Sequence, residues 1–127
     1  MPETTAKPQL VPVPRVTNRV LQAITDRIVA TSHPEKVVLF GSRAYGDPAP
    51  ESDVDLLVVL DSDLDRVARY RLVSQALHGA GWPSVDIVVR TPAEIAERLA
   101  IGDFFIYEIL EKGRVLYDAK HDDRPSR

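Results

Sequence analysis

Residues 36–60 read KVVLFGSRAYGDPAPESDVDLLVVL, and the rest of the chain is arranged around this stretch. Lys36 to Phe40 is a short apolar run containing two adjacent valines, which predicts a buried strand ending at Gly41. Residues 47–52 (DPAPES) carry two prolines and an aspartate, which neither regular structure accommodates, so they predict a loop. Val54 to Leu60 is a second apolar run, rich enough in valine and leucine to predict a strand covered on both faces over most of its length.

Upstream, Val16, Val20, Ile24 and Ile28 recur every four residues with Leu21 beside them. This is the apolar stripe of a helix from Arg15 to about Ser32, which Pro34 closes. Downstream, Leu64, Val67, Ala68, Leu72 and Ala76 predict a helix from Asp63 to about Leu77, ended by Gly79 and Gly81. Ser84 to Arg90 predicts a third strand. Thr91-Pro92-Ala93-Glu94 has the N-cap, first-turn proline and capping-box glutamate of a helix start, and that helix runs to about Ala100. A further helix from Asp103 to about Lys112 is expected to bury some of Phe104, Phe105, Ile106, Ile109 and Leu110. Gly113 ends it, and Arg114 to Tyr117 predicts a short edge strand. Four of the ten prolines fall in residues 1–14, an expected extended leader; a single domain then spans 15–118 and a polar tail 119–127.

Composition narrows the class. The 127 residues suffice for one core and are short for two. No apolar run approaches the roughly 20 residues of a membrane-spanning helix. Met1 to Leu10 lacks the basic start and apolar stretch of a secretory signal, so a cytoplasmic protein is expected. There is no cysteine, which excludes disulfides and thiolate zinc sites. A net charge of -3 without a block of lysine or arginine disfavours general nucleic-acid binding.

The chemistry lies at the heads of the strands. Alternate strand residues share a face and sit ~6.6 Å apart along it. Asp53 and Asp55 can therefore converge on a pair of metal ions about 3.5–4 Å apart, the arrangement of two-metal phosphoryl transfer. Two aspartates heading an apolar strand repel each other, and an all-oxygen site suits magnesium or manganese. Taken alone, the pair reads as two solvated loop residues before the strand. Two neighbours favour the site. Gly41-Ser42 ends the preceding strand, where a glycine lets backbone approach a ligand and exposed N–H groups with a hydroxyl suit a phosphate; Arg43 could add a charged contact. Asp86 is the only acid in the run Val85 to Val89, costly to desolvate unless paired or metal-bound. Beside the Asp53/Asp55 strand it would supply a third carboxylate; otherwise it is the solvent-facing residue of an edge strand.

The stretch LFGSRAYGDPAPESDVDLLVVL resembles the signature of polymerase-β-type nucleotidyltransferases: Gly-Ser, ten residues, Asp-x-Asp. It is most similar to the minimal nucleotidyltransferase (MNT) branch, which includes the antitoxins of HEPN/MNT toxin–antitoxin modules. The motif covers residues 37–60, and the order of elements extends the likeness over about residues 16–117. The resemblance implies a small α/β (α+β) palm-like domain, with a mixed sheet of about four strands flanked by helices. It also implies that Gly41 and Ser42, with Arg43, hold the nucleotide phosphates. Asp53, Asp55 and Asp86 would be catalytic and bind two Mg²⁺ ions, with Mn²⁺ as a substitute, and ATP would be the substrate. Tyr45 stands where related sequences often carry a basic residue, so an added phosphate contact there is not carried over.

Transfer needs an acceptor, and the shortness of the chain suggests that it comes from an oligomeric partner or is itself a protein. The antitoxins it resembles add AMP to a tyrosine of a HEPN ribonuclease toxin, so the resemblance implies such a toxin as partner, in a hetero-oligomer or beside a homodimer. Two other readings stay open. One is an antitoxin that acts by binding alone; the other is a nucleotidyltransferase of small molecules such as aminoglycosides. His33, His78 and His121 lie at element ends without ligand spacing, Trp82 reads as a packed loop anchor, and the Phe104/Phe105 cluster as core or interface.

Overall fold

A computed structural model describes residues 15–49, 52–79 and 81–121. The expected leader and the tail from residue 122 lie outside the described residues. In chain order the elements are α1 (Asn18–Ser32), β1 (Lys36–Phe40), α2 (Ser42–Tyr45), β2 (Val54–Val59), α3 (Arg66–Ser74), β3 (Val85–Arg90), α4 (Pro92–Ala100), α5 (Phe104–Lys112) and β4 (Arg114–Asp118). Single 3₁₀ turns follow α3 (Gln75–Leu77) and β4 (Ala119–His121). The strands form one mixed sheet in the order β3-β2-β1-β4. β1 runs antiparallel to β2 and β4, and β2 runs parallel to β3. This is the expected α/β domain, a four-stranded mixed sheet flanked by helices.

Successive strand residues alternate between two helical layers. Val37, Leu39, Val54, Leu56, Val58, Ile87 and Val89 pack with Leu21, Ile24 and Ile28 of α1 and with Val73 and Ala76. Val38, Phe40, Leu57 and Val59 turn to the other face, against Ile109 of α5, with Val88 and Ile95 beside them. With helices on both faces, β2 must be apolar at nearly every position, which is why it reads as an unbroken run. Among the described residues no helix is long and apolar enough to cross a membrane.

Local chemistry sets the ends of the helices. The Thr17 hydroxyl accepts the Val20 amide at the start of α1, and His33 closes that helix in the left-handed region at φ 53°. The buried side of α1 is Leu21, Ile24, Thr25, Ile28 and Ser32, while the expected Val16 and Val20 are only half-buried. Asp65 caps α3, so that helix starts later than its spacing suggests. Its inward residues are Arg69 and Val73, and Leu64 and Val67 stay exposed. Neither Arg69 nor Val73 was among the apolar positions from which this helix was expected.

Arg69 is 3% exposed and grips Glu94 through two bonds, Nη1 to Oε1 at 2.6 Å and Nη2 to Oε2 at 2.9 Å. Glu94 also closes the capping box of α4, accepting the Thr91 amide at 3.0 Å. The pair joins the helix before β3 to the helix after it, and so ties the two layers together past the end of that strand.

β3 lies at the edge of the sheet. Ser84 and Arg90 turn their carbonyls to β2, accepting from Val54 and Leu60. Carbonyls alternate in direction along a strand, so Val89 presents its own to the open side. There the Arg90 guanidinium folds back and donates to it at 2.9 Å.

Candidate active site

Gly41 follows β1 at φ 75°, in the left-handed region. A side-chain carbon at this position would collide with the Asp55 carboxylate. Glycine therefore does two things here: it permits the turn and leaves room for the acid beside it. Ser42 opens the short α2, whose Ala44 and Tyr45 amides both bond back to the Gly41 carbonyl. Among the described residues neither the Ser42 amide nor the Ser42 hydroxyl donates a hydrogen bond. They form a small donor group suited to an anion.

Arg43 is committed to the loop. Its Nε and Nη2 donate to the Ser52 carbonyl at 3.1 and 2.9 Å, and Nη2 also reaches the Ala49 carbonyl at 3.4 Å. The guanidinium thus fixes the segment that delivers Asp53, immediately before β2.

Asp55 pairs with Phe40 across the antiparallel ladder and with Asp86 across the parallel one. By alternation Asp55 shares a face with Leu57 and Val59, Asp86 shares that face with Val88, and Asp53 lies two residues before Asp55 on the same side. The structure therefore brings Asp53, Asp55 and Asp86 to one face at the head of the sheet, beside Gly41-Ser42. Asp55 is half-buried, whereas Asp53 and Asp86 are exposed. Burial raises the Asp55 pKa above the usual carboxylate value, and the charges of Asp86 and Asp53 raise it further. Three acids whose charges oppose one another at a cluster of oxygen donors are matched to a hard divalent cation. Among the described residues no three acidic, cysteine or histidine side chains are already gathered closely enough to cage an ion. Repelling carboxylates splay apart, and the exposed Asp53 and Asp86 can turn inward when a cation offsets their charge. The donor set fits the metal.

The spacing of the sequence did not reveal what flanks the site. Phe40 meets Phe105 of α5 edge-to-face, with ring centroids 5.6 Å apart. Phe104 and Phe105, expected as core or interface, are 68% and 50% exposed, and α5 buries only Ile106 and Ile109. Tyr45 is exposed beside the Gly-Ser turn. Trp82 packs against the α1 layer with the Arg27 guanidinium 5.6 Å from its ring centre. A cavity of about 560 Å³, lined by Lys36, Val59, Ile95, Leu99 and Asp118 among others, opens at the opposite end of the sheet, away from the three acids.

Comparison with known proteins accords with this geometry. A family model described as polymerase beta, nucleotidyltransferase, matches residues 22–122. A candidate protein adenylyltransferase of Methanocaldococcus jannaschii is 39% identical over 85 residues, which are 65% of this chain and 78% of that protein. The crystal structure of a candidate nucleotidyltransferase from Sulfolobus solfataricus matches with a TM-score of 0.59 at 21% identity, over 82% of each chain, a likeness of fold. The toxin–antitoxin structure MntA-HepT gives a TM-score of 0.45 at 21% identity, over 83% of this chain and 76% of that one. The class is thereby defined: a nucleotidyltransferase. Within that class, the chain belongs to the polymerase-β nucleotidyltransferase family.

Proposed function

We propose that the chain transfers AMP from ATP to a hydroxyl group on a protein, a tyrosine of a cognate HEPN toxin, with Mg²⁺ as the divalent metal. The observation that carries the reading is the in-register pairing of Asp55 with Asp86 on one face, with Gly41 fitted against the Asp55 carboxylate. A protein acceptor is supported by the name of the 39% identical relative. The tyrosine and the HEPN partner rest on the motif resemblance alone.

In this reading the amides and hydroxyl at Gly41-Ser42 hold the terminal phosphates. Arg43 keeps the Asp53 loop in place, and its expected phosphate contact would be made in addition to its bonds with Ala49 and Ser52. Asp53, Asp55 and Asp86 would hold the metal ions, Mg²⁺ or Mn²⁺, which supply charge neutralisation at the reacting phosphate. Asp86, exposed on the edge strand, faces the side open to an incoming acceptor and takes up the proton of its hydroxyl. The acceptor oxygen bonds to the α-phosphorus, the bond from that phosphorus to the bridging oxygen breaks, and pyrophosphate leaves.

The test is to incubate the protein with ATP, Mg²⁺ and a HEPN partner encoded beside it, then weigh the partner by intact mass spectrometry. Additions in multiples of AMP, absent with Asp53→Ala, are expected. An unmodified partner that is nonetheless neutralised by both wild type and Asp53→Ala would move the reading to an antitoxin that acts by binding. Modification of an aminoglycoside by the purified chain would move it to small molecules.

A further inference from the structure

α5 exposes an aromatic side chain against Phe40, the cross-strand partner of Asp55, and the motif does not account for it. Phe105 is half exposed although Ile106 and Ile109 anchor the same helix in the core. Its ring stands edge-on to Phe40 at an interplanar angle of 87°. Phe40 is the cross-strand partner of Asp55 and immediately precedes Gly41-Ser42, on the face that carries the carboxylates. Neighbours across an antiparallel ladder lie about 5 Å apart, so the Phe105 ring stands on the order of 10 Å from the Asp55 backbone, within reach of a nucleoside whose phosphates are held at the acids. The ring is also held in place. Asp103 caps α5 by accepting the Ile106 amide, and Arg98 grips Asp103 at 2.8 Å. Phe104, by contrast, pairs with Tyr107 of its own helix, ring centroids 6.3 Å apart.

We infer that Phe105, backed by Phe40, is the stacking platform for the base of the bound nucleotide. The assignment rests on the proposed nucleotide site and adds to it the group that recognises the base. An aromatic ring offers any base a flat apolar face, and such stacking changes affinity by about 5- to 150-fold on truncation to alanine. The platform contributes to ATP binding and nothing to the binding of a bare triphosphate chain.

That difference provides the test. Affinities of wild type, Phe105→Ala, Phe105→Trp, Phe104→Ala and Asp55→Asn are measured by calorimetry for Mg²⁺–ATP and for Mg²⁺–tripolyphosphate. Phe105→Ala should weaken ATP about 5- to 150-fold and leave tripolyphosphate unchanged. Phe105→Trp should restore ATP binding, with an indole emission that ATP alters and tripolyphosphate does not. Phe104→Ala should change neither ligand. If Phe105→Ala binds ATP as wild type does while Asp55→Asn loses both ligands, the platform is overturned and the phosphate site stands. Loss of partner capture by Phe105→Ala with ATP affinity intact would likewise overturn it, making Phe105 part of a protein interface. A wild type that binds neither ligand overturns the platform together with the site beneath it.

Discussion

Gly41 and Asp55 are a single device shared between two strands. Replacing Gly41 by alanine puts a methyl group where the Asp55 carboxylate lies, at a φ of 75° that costs an L-residue about 1–2 kcal/mol. Gly41→Ala should therefore unfold at lower denaturant concentration and lose about 100-fold in transfer rate, as expected of a displaced catalytic group. Asp55→Asn should behave differently. The half-buried, repelled carboxylate is a burden on the metal-free fold, so the amide should raise the melting temperature in EDTA while lowering transfer by about 10³-fold or more. A lower melting temperature in EDTA would mean that Asp55 is engaged by a partner group. At this scale the sequence was highly legible, because Gly-Ser and Asp-x-Asp sit at strand ends whose positions follow from the apolar runs. Phe105 was not legible, since nothing in FFIYEIL distinguishes a ring that faces a site from one that fills the core.

Among the elements, β1 matched its apolar run and α4 its capping box, because each is set by local chemistry. α3 did not, because Arg69 is turned inward toward Glu94, a partner 25 positions away that no local pattern announces. The pair makes its own predictions. Arg69 is almost wholly buried, so Glu94→Ala leaves a buried charge without its partner and should cost about 3–5 kcal/mol in urea denaturation. Replacing both residues by apolar ones of similar volume should cost much less. The hydrogen bond from Arg69 pulls the Glu94 pKa from 4.5 down to about 2. A carboxyl held below its unfolded value stabilises the fold fully above about pH 4.5, and that contribution fades as pH falls toward 2. Urea midpoints measured from pH 7 to 2 should fall through this window in wild type and fall less in Glu94→Gln.

For the whole molecule, the site is divided between two kinds of pairing. Gly41, Ser42, Asp53 and Asp55 lie on one antiparallel β1–β2 unit, which a single stretch of sequence could reveal. Asp86 arrives through a parallel pairing that requires the intervening α3 crossover, and sequence gives a strand there without naming its neighbour. In the proposed reading carboxylates of both parts would hold the metal, so saturating Mg²⁺ should stabilise the fold by about 2.7 kcal/mol at 100 times its dissociation constant, and Asp55→Asn should abolish that gain. Differential scanning calorimetry with and without Mg²⁺ checks both.

The guanidinium of Arg90 has a consequence for how copies of the protein behave in concentrated solution. The open side of β3 offers a template on which another strand could add, the route by which sheet proteins polymerise. By donating to the Val89 carbonyl, Arg90 occupies one acceptor of that template and sets a charge over it, so two like edges meet with repulsion. Arg90→Leu should retain the fold and turn turbid on concentration, with light scattering that grows at millimolar protein while the wild type stays clear. Colloidal stability would then depend on a side chain far from the chemistry, at the opposite end of β3 from Asp86.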